Sequence, residues 1–207
     1  MTLNSSGAAT DAFARLAADA ATCRACLRMA DCRAVLSRAN GHPQARILVV
    51  AEAPGRLGAA RTGVPLAGDQ SGRNFELLLA VAGISREDVF ITNAVLCNPR
   101  DSHGRNAAPT MREIRNCSPF LRRTIELVDP LLVIALGAVA LKALALIEPH
   151  EIELRRDVAK PGKWGERILI GMYHPSPRAQ LHRSLARQRD DFAALRPLLA
   201  ELITAAA

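Results

Sequence analysis

The chain has 207 residues, 49% of them apolar, and this length fits one compact domain, residues 1–207, with one hydrophobic core. The formal net charge of +7 favours a polyanionic partner such as nucleic acid. The alternative is that the protein is simply rich in arginine and binds no such partner. The lack of a long apolar run and of a secretory signal argues against an integral membrane protein and a secreted one, so we expect a cytoplasmic protein.

The N-terminal segment, residues 1–45, is predicted to be helical and to carry two cysteines. Apolar residues recur at helical spacing over residues 10–30, a range that includes Cys23 and Cys26. The stretch ARILVVAEAP that follows, residues 45–54, has a continuous apolar centre. Such a short apolar run predicts a buried strand.

Strands and helices alternate along the rest of the chain. This order predicts an α/β fold in which helices cover both faces of a parallel sheet. The functional site is then expected in the loops that follow the carboxyl ends of the strands. The predicted strands are DVFITNAVL (88–96), PLLVIALG (130–137) and the run that begins with ERILIGMY at 166, and the predicted helices span 71–83, 110–128, 138–147 and 179–203.

Three polar residues stand at or just beyond the ends of three different predicted strands: Glu52, Asn93 and His174. Because the carboxyl ends of parallel strands meet at one edge of a sheet, we expect these side chains to lie together. A buried amide such as that of Asn93 must be hydrogen-bonded, either by the protein or by a ligand. His174, taken alone, is equally compatible with a structural role.

The long connection after the first strand, residues 53–70, is rich in glycine. Its glycines match neither the dinucleotide-binding pattern nor a phosphate-binding loop that ends in Gly-Lys. Glu52, directly before this connection, would also repel a phosphate. Crossovers in α/β folds usually need only a few residues, so the length favours the wall of a pocket over a purely structural connection.

The five cysteines form one close pair and three single positions. Cys23 and Cys26 are separated by two residues, whereas Cys97 and Cys117 follow much later. A pair plus two distant single cysteines suits an iron–sulfur cluster, and a structural zinc ion or buried thiols are the alternatives that the spacing leaves open. We expect Cys32 to be a spare thiol.

Six short motifs, CRAC, AEAPG, RTGVPLAGDQSG, TNAVLC, NCSPFL and HPS, occur in an order and at spacings that resemble the iron–sulfur uracil-DNA glycosylases of families 4 and 5. The resemblance implies an α/β/α three-layer sandwich around a four-stranded parallel sheet. It also implies a monomeric base excision repair enzyme that flips uracil out of DNA and hydrolyses its N-glycosidic bond, leaving an abasic site. The implied 4Fe-4S cluster is held by Cys23, Cys26, Cys97 and Cys117.

The resemblance also implies roles for individual residues. Asn93 would read the Watson–Crick edge of uracil, and His174 would stabilise the negative charge on the leaving base. Glu52 matches the carboxylate that positions or activates water in family 4, and Asp69 matches a proposed catalytic group of family 5. The chain thus combines the carboxylate positions of both families.

Backbone groups near Ala53 and Gly55 would complete the base pocket. Leu66 stands where these families usually have a phenylalanine that stacks on the base, so the flipped base would rest on an aliphatic face. Aromatic stacking contributes about 1–3 kcal/mol per base, and its absence is expected to lower affinity or to admit other bases.

The segment after HPS is expected to contact DNA through Ser176, Arg178 and Arg183, with phosphate contacts that position the enzyme. A solvated helix face is the alternative for arginines beyond Arg183. No lysine occurs in the loops assigned to the pocket, so we expect a glycosylase without lyase activity.

Two other functions remain open on the sequence. One is a DNA-damage protein that binds uracil or abasic sites with little turnover, or that traps them covalently through His103 in the segment 98–110. A solvated loop is the simpler interpretation of that segment. The other is an iron–sulfur redox protein that shares the scaffold.

Overall fold

The computed structural model describes residues 5–204, with side chains from residue 10 onward, around a central sheet. Four of its strands run parallel and one is antiparallel. The strands are β1 (Ile47–Ala51), β2 (Val89–Asn93), β3 (Leu132–Leu136), β4 (Pro161–Trp164) and β5 (Arg167–Met172), and their order across the sheet is β2-β1-β3-β5-β4.

The sheet has five strands, so the expected number of four is wrong. The additional strand is β4, which pairs antiparallel with β5 through a turn at Gly165, whose φ of +57° lies in the left-handed region. Its sequence PGKW contains a proline, a glycine and a lysine and lies largely at the solvated edge. It therefore lacks the apolar run that revealed β1, β2 and β3, each of which is buried along its whole length.

Helices cover both faces of the sheet, which confirms the three-layer α/β/α sandwich. The expectation of one hydrophobic core is wrong, because the sheet separates two. One core lies between the sheet and α1, α4 and α5, and the other between the sheet and α3, α6 and α7. None of the described helices is both long and apolar enough to cross a bilayer. The helices are α1 (Ser5–Thr22), α2 (Ala59–Thr62), α3 (Gln70–Ala82), α4 (Met111–Val128), α5 (Ala138–Ala145), α6 (Leu185–Ala194) and α7 (Arg196–Thr204).

The segment predicted as one helix over 179–203 consists of three pieces. A short 3-10 turn spans Ala179–Leu181, and Ser184 then caps α6 by accepting a hydrogen bond from the Arg187 amide. Pro197 has no N–H to continue the hydrogen-bond ladder of α6, so the chain restarts as α7. Apolar periodicity alone does not register such breaks.

Candidate active site

A cavity of about 530 Å³ opens where the four parallel strands end. Residues that directly follow β1, β3 and β5, and the last residue of β2, all contribute to its lining. Every residue predicted for catalysis or base binding lines it, together with two of those predicted for DNA contact: Glu52, Ala53, Gly55, Leu66, Asp69, Asn93, His174, Ser176 and Arg178.

Asn93 brings an unpaired donor to this cavity. It ends β2, only 2% of its surface is exposed, and its side-chain Nδ2 has no hydrogen-bond partner among the described residues. A buried donor left unsatisfied costs about 1–3 kcal/mol. The Asn93 amide therefore offers a hydrogen-bond donor that the described part of the protein does not use.

His174 is held as a neutral imidazole with its proton on Nε2. The amide of Ser176 donates to Nδ1 at 3.2 Å, which makes Nδ1 an acceptor. Burial lowers the pKa of His174 to about 4, although the negative charge of Asp69 acts in the opposite direction. A neutral histidine with its proton on Nε2 can donate a hydrogen bond from that atom without carrying a positive charge.

The loop that carries His174 is anchored by a residue that the sequence analysis did not single out. The buried Asn74 side chain on α3 donates through Nδ2 to the Pro175 carbonyl at 2.7 Å. Its Oδ1 accepts from Gln70 at 2.8 Å, which fixes the orientation of the amide. The sequence gives one sign that Asn74 anchors this loop. Asn74 is a polar residue on the buried face of α3, the helix that follows the glycine-rich connection.

The two carboxylates in the cavity have different surroundings. Burial raises the pKa of Glu52, while the positive charge of Arg178 acts to lower it. Asp69 instead caps α3, because its Oδ1 accepts from the Gly72 amide at 3.0 Å. Its other oxygen packs so closely against Gly58 that a methyl group there would collide with it. Of the two carboxylates, Asp69 is thus the one that caps a helix, whereas the charge of Glu52 interacts with Arg178.

Leu66 contributes an aliphatic side chain to the cavity wall, and its backbone is held in place. It is buried and has φ +48°, a left-handed conformation that is unusual for leucine. The guanidinium of Arg86 donates to the carbonyls of Pro65 and Leu66, each at 2.9 Å, and pairs with Glu76 at 2.6 Å. This part of the cavity wall is therefore held in place by contacts within the protein.

Two asparagines that the sequence analysis missed tie the segment 98–110 to the pocket. Asn98 is buried and donates to the Pro54 carbonyl at 2.7 Å. Asn106 accepts from the Arg56 amide at 2.9 Å and from Asn98 at 3.0 Å. The backbone on both sides of Gly55 is thus held by this segment.

His103 lies away from these contacts. It is exposed on a turn in which the Asp101 carboxylate accepts from its backbone amide at 2.9 Å, and its side chain is not part of the cavity lining.

The residues predicted to contact DNA divide into two groups. Ser176 and the exposed Arg178 lie at the cavity, whereas Arg183 is not part of its lining. The Arg183 guanidinium pairs with the buried Asp191 carboxylate and lies 5.9 Å from the centre of the Tyr173 ring. Leu181, which the sequence analysis missed, projects from the same loop with 84% of its surface exposed.

The cysteines predicted as ligands line one small cavity of about 30 Å³: Cys23, Cys26, Cys97 and Cys117. α1 ends at Thr22 and does not continue to residue 30, so Cys23 and Cys26 lie in a loop. In this loop they line the same cavity as Cys97 and Cys117. The fifth thiol, Cys32, donates instead to the Asn98 carbonyl at 3.4 Å.

Burial and the neighbouring thiols raise the pKa of Cys97 to about 11, and burial raises that of Cys117 to about 12. Across the residues that the structure describes, no group of three or more His, Cys, Asp or Glu side chains is arranged to hold a metal ion. The thiols therefore surround a shared space without forming a compact mononuclear site.

Comparison with known proteins agrees with this geometry. Residues 39–200 match the model of the uracil DNA glycosylase superfamily. A type-4 uracil-DNA glycosylase of Archaeoglobus fulgidus is 32% identical over 153 residues, which cover 72% of this chain and 73% of the relative. One from Thermotoga maritima is 34% identical (70% and 74%), and a type-5 enzyme of Pyrobaculum aerophilum is 35% identical (66% and 64%). The chain belongs to the uracil-DNA glycosylase superfamily.

Proposed function

We propose that this protein removes uracil from DNA by hydrolysing the N-glycosidic bond of a flipped deoxyuridine, leaving an abasic site. The observation that carries the proposal is the unpaired, buried amide of Asn93 in the same cavity as a neutral His174 and two carboxylates. Superfamily membership and the resemblance to type-4 and type-5 relatives support the same reaction.

Asn93 supplies base recognition in this proposal. Its amide oxygen accepts the N3–H of uracil and its unpaired Nδ2 donates to O4. Cytosine presents the opposite pattern, an acceptor at N3 and a donor at N4, so both contacts would be lost. Leaving buried polar groups unpaired is what makes such a site discriminating.

His174 stabilises the leaving base. As the glycosidic bond breaks, negative charge builds on the uracil ring, and the Nε2–H of His174 donates to O2. The imidazole is neutral at any pH well above 4, so it donates a hydrogen bond without having to exist as a cation. The Ser176 amide keeps the ring in this tautomer.

Glu52 is the carboxylate that we assign to the water. It lies in the cavity with a raised pKa, and general bases work best when their pKa approaches the working pH. Asp69 is committed to capping α3 and influences His174 through its charge. We therefore assign Asp69 a positioning and electrostatic role.

Isosteric replacements distinguish the two carboxylates. We expect Glu52→Gln to lower kcat about 100-fold or more, because the base is lost. Asp69→Asn should lower it by less than about tenfold, because asparagine also caps helices. Wild-type activity should fall as the pH drops through the raised pKa of Glu52, since only the ionised carboxylate acts. The measurement is kcat against pH for all three proteins, and a larger loss in Asp69→Asn would reverse the assignment.

DNA contact is proposed for the loop after His174. Arg178 is exposed at the cavity mouth and is free to reach a phosphate, with Ser176 beside it. Arg183 forms an ion pair with Asp191, so we assign it a role in holding the loop in place. We keep its contact with DNA as a second role. The exposed Leu181 is an apolar side chain of the kind that wedges between bases when one is extruded.

A 4Fe-4S cluster on Cys23, Cys26, Cys97 and Cys117 is proposed as the cofactor. The four cysteine side chains line one shared cavity, and a close pair together with two distant single cysteines is a ligand pattern that suits an iron–sulfur cluster. When bound, the cluster supplies a cross-link, not a reacting group. These cysteines join the N-terminal loop to the residues after β2 and to α4.

Cysteine replacement tests the cofactor. We expect Cys117→Ser to lose the brown colour and visible absorbance of the purified protein and to lower its Tm, because a ligand and a cross-link are removed. Cys32→Ser is the matched control, since Cys32 lies nearby and does not line the cavity. Equal iron and sulfide content in both variants would contradict the ligand set.

The proposed reaction is tested directly with a labelled oligonucleotide that contains one uracil. Incubation followed by alkali should break the strand at the uracil, whereas the thymine-containing control stays intact. Uncleaved strands with cluster-loaded protein would refute the proposal. A DNA–protein species that survives SDS and heat, and that disappears in His103→Ala, would instead indicate covalent trapping.

A further inference from the structure

Arg28 links the cysteine-bearing loop to the segment 98–110. Its Nε and Nη2 donate to the two carboxylate oxygens of Glu113 at 2.9 and 2.6 Å. The same Nη2 donates to the Ala108 carbonyl at 3.2 Å, and Nη1 reaches the Arg100 carbonyl at 3.4 Å. One guanidinium, two residues after Cys26, thus holds this segment near both ends.

The carboxylate of Glu113, which accepts from Arg28, is itself held in place. It is 7% exposed and sits in the first turn of α4. It forms a capping box with Thr110, whose amide donates to Oε2 at 2.7 Å. Burial acts to raise the pKa of Glu113, but hydrogen bonds from Arg28 and Thr110 lower it overall, so the carboxylate remains charged. Removing Arg28 would leave that buried charge without its cation.

The segment that Arg28 holds forms part of the pocket. Ala107 and Ala108 line the cavity directly. Asn98 and Asn106 hold the backbone on either side of Gly55, as described above. Arg28 itself does not line the cavity, so it reaches the base only through these intermediates.

We propose that Arg28 is a positioning residue for base excision: it fixes the segment 98–110, and through Asn98 and Asn106 the Gly55 wall, in the geometry that accepts the flipped base. The inference rests on the proposed function for its kinetic consequence. The claim that Arg28 keeps the segment 98–110 ordered does not depend on activity and is tested by hydrogen exchange. A displacement of about 1 Å in a binding wall can lower the rate about 100-fold.

Arg28→Gln tests the proposal against a matched control, Arg123→Gln. Arg123 also joins the N-terminal region to α4, through a 2.9 Å ion pair with Asp19, but this pair is exposed and is not among the contacts that hold 98–110. In Arg28→Gln we expect kcat/KM on uracil-containing DNA to fall about 10- to 100-fold and amide hydrogen exchange over 98–110 to accelerate. The control should match the wild type in both measurements.

Arg28→Lys separates geometry from charge. Lysine keeps the positive charge but lacks the planar fork that engages both oxygens of Glu113 and a carbonyl together. We expect an intermediate loss of kcat/KM with visible absorbance per protein unchanged. If Arg28→Gln fails to fold, Asn106→Ala is the second variant. Asn106 lines the cavity itself, so this variant is read by hydrogen exchange, which should accelerate over 98–110 when the contacts with Arg56 and Asn98 are lost.

Several outcomes would overturn the inference. Hydrogen exchange and kcat/KM in Arg28→Gln that equal those of Arg123→Gln would show that the link positions nothing. Faster exchange with unchanged kcat/KM would show that the pocket does not depend on the segment. Loss of visible absorbance in Arg28→Gln would assign Arg28 to cluster retention instead. A wild type that does not cleave refutes the proposed function, while the exchange measurement still decides the mechanical link.

Discussion

Replacement of His174 by alanine is expected to lower kcat on uracil-containing DNA about 100- to 1,000-fold. The Nε2–H donor is aimed at charge that exists only as the glycosidic bond breaks. Removing it should therefore leave the Kd for a DNA containing a non-cleavable uracil analogue nearly unchanged. The measurements are single-turnover rates and equilibrium binding to that analogue.

His42→Ala is the matched control. The Nδ1 of His42 accepts from the amide two residues later at 3.2 Å, the same local contact that orients His174, but His42 lies outside the cavity. A similar loss of rate in both variants would show that the effect is not specific to the donor of His174. Unchanged kcat in His174→Ala alone would remove His174 from the mechanism.

Replacement of Asn93 by alanine should lower kcat/KM about 100-fold or more, because two hydrogen bonds to the base are lost at about 1–3 kcal/mol each. Stability should not fall in proportion. The wild-type Nδ2 is buried without a partner in the part of the chain that the structure describes, so its removal relieves a cost that offsets the lost packing. Steady-state kinetics and thermal unfolding together check this combination.

Thr92→Val provides the comparison within the same strand. Thr92 also has a buried side-chain oxygen without a partner among the described residues, but successive strand residues point to opposite faces, and Thr92 does not line the cavity. We expect normal activity and unchanged or higher Tm. If Asn93→Ala destabilises the protein while activity per folded molecule is kept, Asn93 is a structural residue.

The sequence alone was sufficient for the α/β order and for the edge of the sheet where the site lies. β1, β2 and β3 are continuous apolar runs because both of their faces are buried, and this requirement is visible locally. Glu52, Asn93 and His174 then follow as polar residues at strand ends, and the structure brings all three to one cavity.

The tertiary structure decided the features that depend on partners distant in sequence. β4 is a strand only because β5 pairs with it, and α6 and α7 separate where Pro197 interrupts the ladder. The division of labour between Glu52 and Asp69 depends on which carboxylate caps α3. Arg28 gave no signal of its own, because its contact with Glu113 spans 85 positions of the chain. Apolar periodicity reports burial near a residue, whereas hydrogen-bond partners are chosen only when the chain has folded.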